Sequence, residues 1–340
     1  MLGGLAAALA AAWVLALGAG SVGLSWSEVV GVLRSRILAT AGSASGAVSQ
    51  ANDLIVWQVR LPRIALATVV GVALGGAGAV FQGLLRNPMA DPYIIGVSPG
   101  AALGAAVAIA GGWQVRFGGV SALPLFAFAG ALGATAVVYH ISKVGGRGVA
   151  GVSVEVLLLA GVAVGAFLSA LVSLLLVLKS ETMDKVIFWL MGGFSGRGWE
   201  QAGVALPYVV LGLLVIARYR EELNLLSLGD EAAYHLGVDT ARVQKTLLAA
   251  ASLAAASAVA VSGVIGFVGL IVPHLLRLAF GPDHRLLVPA SALGGAVLLV
   301  LADTAARTAL APNEIPVGVV TALLGVPFFL FLLRRTRGGA

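Results

Sequence analysis

Residues 154–178 read VEVLLLAGVAVGAFLSALVSLLLVL. The run carries one charge, Glu155, and no proline. A helix needs about 20 mostly apolar residues to cross the hydrocarbon core of a bilayer, so this stretch predicts a spanning helix. Working outward, nine more segments meet the same test, at roughly 4–22, 64–84, 93–112, 119–141, 202–218, 246–262, 264–280, 286–303 and 316–333. Asn87-Pro88 and Asp91-Pro92 break the chain between the second and third. Asn313 can cap the tenth, with Pro316 in its first turn, where a missing N–H costs little. The more polar stretch 23–62 is expected outside the bilayer, with a short surface helix.

Composition agrees with the runs. The 340 residues are 59% hydrophobic and 11% charged, and the mean hydropathy is +1.02. Soluble domains carry roughly 25% charged residues, so the main solvent of this chain is lipid. The 46 glycines suit helices that pack backbone to backbone in a bilayer. The absence of cysteine excludes a disulfide framework and a thiolate metal site. The net charge of +6 reflects basic residues in short loops between apolar runs, which points to membrane topology rather than nucleic acid. No Lys or Arg precedes Arg34, so the first segment lacks the basic start of a cleaved signal peptide and is read as a retained span. With ten spans both termini share a side. If that side is cytoplasmic, the inner loops and tail hold twelve Lys and Arg against nine outside, a weak bias whose clearest part is Arg334, Arg335 and Arg337. The expected fold is a single all-α polytopic membrane domain over 1–340, with about ten transmembrane helices and a polar loop near 220–242.

An ordered set of motifs runs through the chain. Arg60-Leu-Pro-Arg63 begins the second span, followed by Gly75-Gly-Ala-Gly78, Gln82 and Arg86-Asn-Pro-Met-Ala-Asp-Pro92. Gly96-Val-Ser-Pro-Gly-Ala101 opens the third. Later come Leu223-Asn-Leu-Leu-Ser-Leu-Gly-Asp-Glu-Ala-Ala-Tyr-His-Leu-Gly237 and Gly263-Val-Ile-Gly-Phe-Val-Gly-Leu-Ile-Val-Pro-His274, then Asp303, Arg307, Glu314-Ile-Pro-Val-Gly318 and Gly325-Val-Pro-Phe328. From about residue 54 to 335 the set resembles the permeases of binding-protein-dependent ABC importers for iron-siderophores, haem and vitamin B12. That resemblance implies the type II importer permease fold in a prokaryotic cytoplasmic (inner) membrane, with both termini cytoplasmic. It implies a pair of identical chains, two separate ABC ATPase subunits inside and one substrate-binding protein outside. The chain has no G-x-x-x-x-G-K-[ST] phosphate loop, so ATP and Mg are expected on the partner ATPase, with no cofactor or metal on this chain.

Arg60 and Arg63 lie three apart, on one face of a helix. Interfacial anchoring by snorkelling is the plain reading. The resemblance implies that they and Arg307 dock carboxylates of the binding protein, for which the bidentate guanidinium is suited. Asp303 and Glu314 flank Arg307, either as functional intramembrane carboxylates or as its ion-pair partners. In the loop 223–239, Leu225, Leu228, Ala232 and Leu236 recur at three- and four-residue steps and predict one or two short amphipathic helices. Gly229 and Gly237 punctuate them, and Asp230 and Glu231 suit a helix start. A solvated connector fits as well; the resemblance implies the coupling element that seats on the ATPase. Gly161, Gly165, Ser169 and Ser173 recur every four residues, which fits close helix packing; the resemblance implies the wall of the translocation path. It also places an inner gate near Ser153, Val154 and Glu155, where the carboxylate departs from the family's small polar pattern.

Gly96-Val-Ser98-Pro-Gly100 matches the hydrolase G-x-S-x-G, but that motif needs a strand before it, and here it opens an apolar run. His140, His235, His274 and His284 are far apart and show no metal-ligand spacing. The leading function is therefore the transmembrane permease subunit that moves a metal chelate (iron-siderophore or haem) or vitamin B12 inward, without bond chemistry of its own. A gradient-driven secondary transporter is the alternative, weakened because such proteins place ionisable groups within broken spans. An intramembrane enzyme finds no catalytic constellation.

Overall fold

The computed structural model describes residues 1–20, 23–39, 50–113, 116–117, 120–144 and 153–337. Its helices are α1 (Leu2–Gly18), α2 (Trp26–Ala39), α3 (Gln50–Leu54), α4 (Leu61–Leu84), α5 (Val97–Ala110), α6 (Ala122–Val144), α7 (Val154–Leu178), α8 (Met183–Leu190), α9 (Trp199–Arg218), α10 (Arg220–Leu226), α11 (Asp230–His235), α12 (Thr240–Ser262), α13 (Val268–Phe280), α14 (His284–Thr308) and α15 (Val317–Arg337). A two-residue hairpin, Arg116–Phe117 with Val120–Ser121, precedes α6. Among the described residues six helices are long and apolar enough to cross a membrane, and four shorter apolar helices complete the set. These ten overlie the ten apolar segments, and α2 is the expected surface helix.

Two spans differ from expectation. The second begins at Gln50 rather than 64, as one continuous 35-residue helix through α3 and α4. A π turn over Ile55–Arg60 carries the helix through Pro62, with the Leu61 N–H bonded to Val56 O five residues back. The wider turn relieves the clash that a proline ring makes with the preceding turn. The eighth span starts at Val268 rather than 264. Residues 263–267 are unwound, with Gly263 at φ 72 and Phe267 at φ 69. Exposed backbone polar groups are not tolerated in lipid. Here the Tyr93 hydroxyl accepts from Ile265 N at 3.0 Å and donates to Ile265 O.

α4 forms the centre, with 78% of its most apolar window buried, against 11% for α7. It meets α14 along a seam of small residues. A Cβ added to Gly75 would stand 2.1 Å from Ser291 O, and one on Gly295 2.2 Å from Gly71 O. α5 and α6 approach as closely at Gly104, where a Cβ would stand 2.0 Å from Phe126 O. Such contact lets dispersion bind helices that lipid does not drive together. Gln82 ties α4 to α13: its amide donates to Gly269 O (3.2 Å) and Leu270 O (3.1 Å), and its carbonyl accepts from Arg277 Nη1 (2.9 Å).

The bundle has two chemically distinct ends. At the arginine end the start of α4 meets the ends of α1 and α14 and the residues before α15. At the loop end α10 and α11 hold the end of α4 and the start of α14. There Arg86 pairs with Asp230 at 3.3 Å, and Asn224 meets His284 Nδ1 at 2.9 Å.

Candidate functional site

At the arginine end the structure gathers Arg60, Arg63, Arg307, Asp303 and Glu314, which the chain spreads over 255 positions. The three guanidiniums are not exposed hooks: Arg60, Arg63 and Arg307 are 3%, 7% and 5% exposed. Arg63 grips Asp303 through Nε (3.0 Å to each carboxylate oxygen) and Nη2 (2.8 Å), and its Nη1 donates to both oxygens of Glu314 at 2.9 Å. The pairing expected between Arg307 and these carboxylates thus falls mainly to Arg63. Arg307 stands 3.8 Å from Asp303 and donates to Ala16 O. Arg60 donates to Leu17 O, and to Gly18 O at 3.3 Å. Two arginines from distant helices therefore cap the last carbonyls of α1, which have no partner within their own helix, and they sit at the negative end of its dipole.

Along α7 an open groove of about 390 Å³ runs between Gly161, Gly165 and Ser169 and the α5 residues Ser98, Pro99 and Ala102, with Tyr93 beside them. Gly161 packs as well as lines, since a Cβ there would meet Ile94 O at 2.0 Å. Ser173 does not line the groove; it is exposed further along α7, and its hydroxyl donates to Ser169 O at 3.1 Å. Ser153 caps α7 by accepting from Val156 N at 3.4 Å, Val154 is half-buried and Glu155 is exposed in the first turn, where a carboxylate favours the helix dipole.

The polar loop folds as two short helices, α10 and α11, hinged at Gly229 with φ 117. Leu223, Leu226 and Ala233 face inward, while Leu228 and Leu236 stand 66% and 60% exposed. Glu231, Ala232 and Gly237 are exposed with them, and Leu225 is half-buried. Asp230 does not belong to the free surface. It accepts from Gln244 at 3.0 Å while pairing with Arg86, and so fixes α11 to α12 and to the end of α4.

Other polar anchors were not expected. Tyr93 reaches a backbone 172 residues away, and no local pattern marks that. Below it Asp91 caps the turn Pro92–Ile95 by accepting from Tyr93 N at 2.9 Å. Burial pushes the Asp91 carboxyl up to about 6, against the pull of that N–H. Asp283, which caps α14, is held low by the Arg285 N–H first and by Asn224 next. In the loop before α9, burial lowers Arg197 to about 10, and it donates to Val261 O. The four histidines stay apart, and Ser98 follows a 3-10 turn rather than a strand. Arg147, one of the twelve basic residues counted on the inner side, lies outside the described residues.

An all-helical membrane bundle with a groove of small residues on one face, a capped polar end and a pair of short helices at the other end is the architecture of a transport permease. Residues 8–335 match the model of the FecCD transport family. The cobalamin import system permease protein BtuC of Halobacterium salinarum is 46% identical, covering 92% of this chain and 80% of its own. The hemin transport system permease protein HmuU of Yersinia pestis is 43% identical, covering 84% and 86%. A solved metal-chelate type ABC transporter in an inward-facing conformation superposes with a TM-score of 0.82 at 33% identity, covering 98% of each chain. The chain belongs to the FecCD transport family. It is a multi-pass permease subunit of an ABC importer and not an enzyme; ATP hydrolysis lies in separate subunits.

Proposed function

We propose that two copies of this chain form the path by which a bulky metal chelate or corrinoid, of the iron-siderophore, haem or vitamin B12 class, enters the cell. The observation that carries this is the groove between α5 and α7, walled mainly by small residues (Ser98, Pro99, Ala102, Gly161, Gly165 and Ser169) together with Tyr93, Ile94, Val162 and Val264, on a helix whose surface is otherwise left open. A weakly polar wall of small side chains lets a large rigid ligand pass without deep binding, and the uncovered face of α7 calls for a second copy. Relatives named for cobalamin and hemin import are more than 40% identical to this chain over the aligned residues, which favours metal-bearing macrocycles over small ions.

In this reading the loop end and both termini are cytoplasmic. Leu228, Glu231, Ala232 and Leu236 seat on the ATPase, which carries ATP and Mg, and Asp230 and Gln244 transmit its movement to α12. Ser153, Val154 and Glu155 form the inner gate with their copies in the partner. The arginine end receives the substrate-binding protein. There Glu314, whose side chain is 33% exposed, is the carboxylate that an incoming acidic side chain can replace on Arg63, with Arg60 and Arg307 holding the platform. The test is uptake into liposomes by the chain reconstituted with its ATPase and binding protein, offered cyanocobalamin, hemin and a ferric siderophore. Uptake of one of these that requires ATP supports the proposal; uptake driven by an ion gradient with no ATPase present overturns it.

A further inference from the structure

A second, larger recess lies away from this path. α6, α9 and α12 enclose an open crevice of about 750 Å³. α6 and α9 touch through Phe128 and Tyr208, whose rings lie 5.2 Å apart. From there toward the loop end the crevice opens between them, with α12 as its floor. Its lining is apolar along its length, through Leu132, Ala136, Leu211, Val215, Leu248 and Leu253. At the loop end it finishes on Arg242 and Lys245. These lie three residues apart on one face of α12, are exposed, and enter no ion pair among the described residues. In the floor Ser252 is 2% exposed, and its hydroxyl has no hydrogen-bond partner among the described residues.

The dimensions match one lipid leaflet. Arg242 to Leu253 spans about 16 Å of helix, and half of the hydrocarbon core is about 15 Å. Two unpaired cations at the water boundary, above an apolar slot one leaflet deep, complement an anionic headgroup on an acyl chain. We infer that the crevice is a binding site for one anionic glycerophospholipid, its phosphate on Arg242 and Lys245 and an acyl chain along α12 toward Ser252. The placement in the cytoplasmic leaflet rests on the orientation proposed above; the binding chemistry does not depend on transport.

The test is native mass spectrometry of the delipidated full chain, titrated with phosphatidylglycerol and with phosphatidylcholine of the same chains. The expected result is one tight phosphatidylglycerol per chain, bound at least about tenfold more tightly than phosphatidylcholine. Arg242→Gln with Lys245→Gln should weaken it about thirtyfold, the effect of two basic residues near the surface, and leave the two lipids alike. Arg285→Gln, a loop-end cation outside the crevice, should change nothing. Ala249→Trp, which fills the crevice from an exposed position of α12, should weaken both lipids. Equal affinity for the two lipids in the native chain overturns the inference, as does undiminished phosphatidylglycerol binding in the double variant. If the double variant does not stay monodisperse, the Ala249→Trp variant decides, and unchanged lipid binding there overturns the inference. Absence of ATP-dependent uptake by the native chain with lipid binding intact would count against the import reading and leave the lipid site standing.

Discussion

Arg63 sits between two carboxylates in a nearly dry pocket, so its removal leaves charge behind rather than merely a gap. Breaking a buried pair by deleting one partner costs about 3–5 kcal/mol. Arg63→Ala leaves Asp303, whose side chain is 2% exposed, with only the longer 3.8 Å contact to Arg307, and should lower thermal stability in detergent by up to that order. Glu314→Gln should cost clearly less, because that side chain is one-third exposed and its oxygen still accepts from Arg63. Equal melting temperatures for the two variants would show that Asp303 is not held by Arg63. Asp91 offers a second residue-scale measurement. Its carboxyl is raised to about 6 in the folded chain, against about 3.9 unfolded. The protonated form is therefore favoured by folding. Stability from this group is full below about pH 4, falls as pH rises toward about 6, and is level above that. Asn at 91 keeps the oxygen that accepts from Tyr93 N. Asp91→Asn should flatten this slope and raise stability near pH 7 by on the order of 3 kcal/mol, read as melting temperature across pH.

Among elements, the α4–α14 seam is the least forgiving. A Cβ on Gly75 would enter the van der Waals shell of Ser291 O, and both partners are backbone in long helices that cannot give way locally. Gly75→Val should abolish monodisperse protein on size exclusion. Gly203→Val, where an added Cβ meets nothing, should behave as the native chain. The pair α10–α11 behaves in the opposite way. Leu228 and Leu236 contribute little to the packing of this chain, so Leu228→Asp with Leu236→Asp should leave stability within about 0.5 kcal/mol of native, read as a nearly unchanged melting temperature. Co-purification of the ATPase should nonetheless be lost; retention would place the coupling surface elsewhere. Asp230→Lys would test less cleanly, since it also breaks the contacts to Arg86 and Gln244.

For the whole molecule, the proposed pairing of two copies across the open face of α7 has a direct test. The chain has no cysteine, so a single Ser173→Cys on that face is the only thiol present. A bifunctional maleimide should then convert the purified protein to a covalent dimer, while Ser227→Cys at the loop end should stay monomeric. The reverse pattern would move the pair's interface off α7.

Much of this plan was legible in the chain. The ten apolar segments could be counted because transfer to lipid is a sum over neighbouring residues, and 25 consecutive residues of α7 suffice for it. The two short helices after α9 were visible in a three- and four-residue apolar step and a glycine hinge. The second span was placed at 64–84, and its extension back to Gln50 was hidden because it runs through a π turn, which carries no sequence signature of its own. The unwound 263–267 segment was hidden inside an apolar run, and its repair by Tyr93 depends on a residue 172 positions earlier. The charged cluster followed the same rule. Sequence placed Arg60, Arg63, Asp303, Arg307 and Glu314 near span ends, where hydropathy changes. Only packing decided that Arg63 takes both carboxylates while Arg60 and Arg307 close the end of α1. Membrane insertion is read from local composition, whereas hydrogen bonds and ion pairs reach only a few ångströms and join whichever residues the folded helices bring together.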